Sequence, residues 1–96
     1  MERDIVKTIV YQCASEQFYD KNDFYTKMSQ SPKDGEDLLL YDEVGFDSLD
    51  MVEFILAIET YFKFGETTIQ LPDDLFDNEV TLGKVIDYIW KTLSDQ

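Results

Sequence analysis

Histidine is absent from this chain, which excludes a serine–histidine nucleophile pair and a histidine-ligated zinc. Cysteine occurs once, at Cys13, so no internal disulfide can form and the framework is not that of a disulfide-stapled secreted domain. No apolar run is long enough to span a bilayer and no N-terminal signal peptide is recognisable, so membrane insertion is not expected and the cytoplasm is the expected compartment. Glycine is scarce, and none of the four forms a phosphate-cradling loop with a lysine. Gly45-Phe46-Asp47-Ser48-Leu49 is not the Gly-x-Ser-x-Gly elbow of hydrolases, and Asp34-Gly35 lacks the spaced ligands of a calcium loop. Neither a catalytic residue nor a metal site is expected.

Positive charge is also scarce. Eight basic residues face twenty-one acidic ones, a net charge of −13 that would repel nucleic acid phosphates. Such a surface either aids solubility or steers partners that carry basic patches. The distribution favours the second reading. From Asp34 to Phe62 there are nine carboxylates and no lysine or arginine, so negative potential is concentrated around Ser48.

What is present reads as helices within one small domain spanning 1–96, with a single modest core and an expected monomer. Ile5, Val6, Ile9, Val10 and Cys13 recur at the spacing of one helical stripe, with Cys13 as a small buried hydrophobe. From Ser15 to Asp37 the pattern is ambiguous. Phe18, Tyr19, Phe24, Tyr25 and Met28 either continue the first helix or form a short second one opening near Asn22-Asp23, followed by a loop broken at Pro32 and Gly35. This segment either packs its aromatics over the bundle end or adds a docking surface.

A helix is predicted from Ser48 to about Phe64, with Asp47 as N-cap, Asp50 in the first turn and Gly65 ending it. At 100° per residue, Met51, Phe54, Ile55, Ile58, Tyr61 and Phe62 form a core stripe. Leu49, Val52 and Leu56 fall roughly opposite, bordered by Glu53 and Glu59. That second stripe is either covered by the long insertion or free as a docking face. Asp73 or Asp74 can cap a short helix holding Leu75 and Phe76, and Thr81 can cap a last helix whose stripe is Leu82, Val85, Ile86, Ile89 and Leu93. Tyr88 and Trp90 are expected to close the bundle end.

The stretch Leu40-Tyr41-Asp42-Glu43-Val44-Gly45-Phe46-Asp47-Ser48-Leu49-Asp50-Met51-Val52-Glu53 resembles the modification site of acyl carrier proteins, and Thr81 to Ile89 resembles their last helix. The likeness runs from about Leu40 to Leu93. It implies an all-α four-helix bundle, three long helices plus one short, with an extended loop between helices 1 and 2. It implies 4′-phosphopantetheine on Ser48, with Asp47 and Leu49 completing the triplet, delivered from coenzyme A by a phosphopantetheinyl transferase. Leu40 and Val44 match the apolar pair that pins the loop. Asp50, Val52, Glu53, Leu56 and Glu59 would meet the basic docking patches of acyl-loading, condensing or acyl-transfer enzymes in fatty-acid or specialised lipid or polyketide biosynthesis. The sequence departs from the family in an insertion at about 18–37, a link at 65–70 about five residues too long, and Thr60 where many members carry an acid. An aminoacyl or peptidyl carrier of the nonribosomal type and an unmodified acidic interaction bundle are the alternatives. Asp47 and the acid run count against the former.

Overall fold

Helix α1 spans Arg3–Ser15 and buries Val6, Ile9, Val10, Cys13 and Ala14, so the apolar stripe forms much as its spacing predicts. Ile5 is the exception, at 49% exposure, while Tyr11 is buried, at 7%. Tyr11 turns toward the inserted segment, where its hydroxyl donates to the Asp34 carbonyl at 2.6 Å. The structure, a computed structural model, describes residues 1–95.

The insertion folds. Asp20 accepts from the Asn22 amide at 2.9 Å and opens helix α2, Lys21–Ser29, which buries Phe24 and Met28 one turn apart. The expected loop follows as a tight turn, Pro32–Gly35, in which Lys33 and Asp34 at φ 55° and Gly35 at φ 80° take three successive left-handed positions. Gly35 adopts φ +80° directly over Met28, where an added methyl would collide with the Met28 sulfur. Beyond it, Glu36 is held on both sides. The Arg3 guanidinium grips its carboxylate through Nη2 at 2.6 Å and Nη1 at 3.2 Å, and Lys7 reaches it at 3.1 Å. Arg3 also donates to Asp87 at 2.8 Å, and the Gly83 amide donates to the Glu36 carbonyl at 2.9 Å, so the end of the insertion is stitched to both terminal helices.

Helix α3, Ser48–Phe64, has the predicted boundaries. Met51, Phe54, Ile58 and Phe62 are buried, Ile55 is half-buried, and Tyr61 lies exposed against the expectation, at the edge of the stripe. The helix ends in a Schellman arrangement, with the Thr67 amide on the Phe62 carbonyl and the Glu66 amide on that of Lys63, both at 2.9 Å. The left-handed position is taken by Glu66, φ 64°, not by Gly65 as the composition suggests. The link that follows is packed through Ile69 and Leu71.

The short helix predicted near Asp73 is a three-residue 3-10 turn, Asp73–Leu75, with no side-chain cap and no fully buried residue; Leu75 and Phe76 only flank the core. The fourth helix of the bundle therefore lies in the insertion. Helix α4, Leu82–Ser94, is capped by Thr81, which accepts from the Lys84 amide at 3.2 Å, and buries Leu82, Val85, Ile86 and Ile89; Leu93 is half-buried. Tyr88 and Trp90 lie half-buried against the core. Helix α1 packs on α4, α3 and α2, giving an all-helical bundle with one continuous core. Its radius of gyration, 12.5 Å, equals that expected of a compact chain of this length, about 12.5 Å, so both insertions are absorbed into the body.

Candidate functional site

Construction of the site begins before the serine. Leu40–Val44 winds into one wide turn in which the Glu43 and Val44 amides both donate to the Leu39 carbonyl at 2.9 Å. Leu40 and Val44 are buried and pin that turn as expected. An isolated bridge joins Leu39 to Thr81, and the Leu40 amide donates to the Val80 carbonyl at 3.0 Å, tying the turn to the start of α4. Gly45 reverses the chain at φ +92°. Nothing lies within 4 Å of where its Cβ would stand, so the backbone angle and not crowding requires glycine.

Phe46 then drives into the core and is 96% removed from solvent by exposure. Its ring meets Phe54 of α3 edge-to-face at 5.6 Å and Phe18 of the insertion at 6.3 Å. Phe18 in turn meets Phe24 at 5.4 Å. An aromatic anchor two residues before the serine thus fixes where the next helix begins. Phe46 is a site residue not anticipated from the sequence, where a bulky ring between glycine and an N-cap acid is the available signal.

At that start, Asp47 and Asp50 form a reciprocal capping box. The Asp47 carboxylate accepts from the Asp50 amide at 2.8 Å, and the Asp50 carboxylate accepts from the Asp47 amide at 3.1 Å. Ser48 is the first helical residue and is exposed. With the Asp50 amide taken, those of Ser48 and Leu49 are left without a partner among the described residues, at the positive end of a helix of seventeen residues. An exposed hydroxyl beside two unfilled donors fits a phosphodiester carried on its own oxygen. Asp47 itself is engaged in the cap, and Leu49 stands exposed beside the serine.

The second stripe of α3 is free. Leu49, Val52 and Leu56 are 65%, 52% and 56% exposed, with Glu53 exposed among them. The insertion, which packs on α1, does not cover them. Two acids of the predicted face are placed otherwise than as loose charges. Asp50 is half-buried in the capping box, and the Glu59 carboxylate accepts from the Leu71 amide at 3.2 Å, holding the long link. Among the described residues no group of three or more acidic, histidine or cysteine side chains could hold a metal ion, and no helix is long and apolar enough to cross a membrane.

Fold and site define a class: an all-helical bundle that offers one serine hydroxyl at a capped, outward-facing helix start. Comparison with known proteins specifies it further. The family model described as "Phosphopantetheine attachment site" matches residues 30–89, more than half of the chain. The chain belongs to that family, whose prosthetic group is 4′-phosphopantetheine. It is 37% identical over 57 residues to the acyl carrier protein of Amoebophilus asiaticus, covering 59% of this chain and 65% of the relative. It is 40% identical over 50 residues to the acyl carrier protein of Sinorhizobium fredii and to acyl carrier protein AcpP of Rhizobium meliloti, covering 52% of this chain and 58% of each. The chain thus spans about three-fifths of the length of these relatives. No solved structure matches it at a significant level.

Proposed function

We propose that this chain is an acyl carrier protein, a single carrier domain that holds acyl groups as thioesters on a 4′-phosphopantetheine arm attached to Ser48. The observation that carries the reading is Ser48 itself: exposed, first in a capped helix, and inside the matched region. The bundle contributes no chemistry of its own. It fixes one attachment point and keeps the tethered cargo at high effective concentration for each enzyme that docks. A phosphopantetheinyl transferase supplies the arm, and acyl-loading and condensing or acyl-transfer enzymes use it, in the fatty-acid or a more specialised lipid route.

Those partners are read through the exposed row Leu49, Val52 and Leu56 and the carboxylate of Glu53. Apolar anchors ringed by acid suit a partner groove edged with arginine or lysine. Asp50 and Glu59 serve this face indirectly, by fixing the start of α3 and the adjoining link.

The test is incubation with coenzyme A and a broad-specificity transferase, followed by intact mass. A gain of one phosphopantetheinyl group, absent in Ser48→Ala, is expected. No gain, or a gain that survives the substitution, would defeat the assignment. Subsequent loading by acyl-activating rather than amino-acid-activating enzymes distinguishes an acyl carrier from a nonribosomal one.

A further inference from the structure

Residues 17–19 lie where α1 passes into the insertion, outside the region that matches the family model. They nevertheless stand beside the attachment loop. Phe18 is locked against Phe46 and Phe24, and Gln17 is held to α1 by a bond from its side-chain amide to the Cys13 carbonyl at 3.3 Å. Between this fixed segment and Val44, Gly45, Phe46 and Asp50 lies a groove of about 230 Å³. Tyr19, flanking it, is fully exposed at 109% and touches the core with nothing. A large aromatic ring left in water on a well-anchored segment has no role in folding that the packing reveals.

We propose that this groove is a resting site for the arm carried on Ser48, with Tyr19 and Phe18 against its gem-dimethyl carbons and Gln17 beside its amides. The inference rests on the attachment reading above. Three observations select this occupant. The groove lies within reach of Ser48, since Gly45, Phe46 and Asp50 all line it within three positions of the serine. A ligand tethered so close meets the groove at an effective concentration of about a millimolar or more without any binding energy of its own.

Chemistry agrees. The pantetheine portion is uncharged and alternates amides with alkyl groups, and the groove offers both kinds of partner: the Gln17 carboxamide, aromatic rings and the bare backbone of Gly45. The bond to Ser48 keeps the phosphate at the helix start, and Asp50 in the groove lining disfavours a second anion there, so the neutral stretch is the part the groove can take. Size agrees as well. Pockets that enclose a drug-sized ligand run from roughly 300 Å³ upward, so this one takes part of the arm and leaves the thiol end free.

The experiment uses the whole 96-residue chain, isotope-labelled, and given an unlabelled arm by the transferase. Isotope-filtered cross-peaks are expected from the gem-dimethyl protons to the rings of Phe18 and Tyr19. Between the unmodified and modified forms, the Gln17 and Tyr19 amides should shift along with those of residues 48–50, while the α4 amides stay put. In modified Tyr19→Ala, which alters an exposed side chain, the ring contacts should vanish and the Gln17 shift shrink; Gln17→Ala gives an independent check. A mass gain with no cross-peaks, and with shifts confined to 46–50, overturns the groove assignment alone. Absence of any mass gain removes the attachment reading, and this inference with it.

Discussion

Backbone angles at single positions carry much of this site. Gly45 sits in the left-handed region with open space around its missing Cβ, so substitution tests conformation free of steric collision. Gly45→Ala should lower stability by about 1–2 kcal/mol, the cost of that region for an L-residue, seen as a lower midpoint in urea. Glu66 presents the opposite case, a non-glycine residue in the left-handed cap of α3. Glu66→Gly should raise stability by about 0.5–1 kcal/mol, because relief of strain exceeds the added freedom of the unfolded chain. An unchanged or lower midpoint for that variant would show that the cap is not strained. Composition hid this reversal. A glycine at 65 looks like the left-handed residue, yet only hydrogen bonding to Phe62 and Lys63 places the cap one position later.

Among the elements, α3 was the most legible, since its cap acid, its core spacing and its terminal glycine agree from Asp47 to Gly65. Helix α2 was not, because nine residues are too few to be helical on propensity alone. It exists because Phe24 and Met28 find α1 and the Gly35 turn, contacts far away in sequence or dependent on the positive φ angles of Lys33, Asp34 and Gly35. The same tertiary effect explains Ile5 and Tyr61, which obey helical spacing but lie where no neighbouring element covers them. The opposite row of α3 was legible as apolar, and its exposure needed the structure. Replacing Val52 by serine should leave stability within about 0.5 kcal/mol, since half of that side chain is already in water. The kcat/KM of the transferase should fall about tenfold, equivalent to about 1.4 kcal/mol of lost contact. A variant modified at the normal rate would remove Val52 from the proposed docking face.

For the whole molecule, the cluster of Arg3, Lys7, Glu36 and Asp87 joins α1, the insertion and α4. The Arg3 guanidinium holds the Glu36 carboxyl below its usual range, against the opposing effect of burial, with Lys7 adding to the pull. A depressed carboxyl stabilises the fold above its unfolded value, near 4.3, and loses that contribution as pH falls through its folded value. Glu36→Gln should therefore cost about 1–2 kcal/mol at pH 7, with the gap from wild type closing as pH drops below about 4. Comparing the two proteins at each pH cancels the general relief of repulsion as the other carboxylates protonate, which a wild-type titration alone would mix in. A gap constant down to pH 3 would show that the Arg3–Glu36 pair contributes nothing.

Cys13 acquires a meaning at this scale too. It is 5% exposed, and burial, with Glu16 nearby, pushes its thiol up to about 11. Only the thiolate attacks a thioester, and roughly one molecule in ten thousand bears it at pH 7. On the proposed reading, in which cargo rides on a borrowed sulfur, burial silences the chain's own.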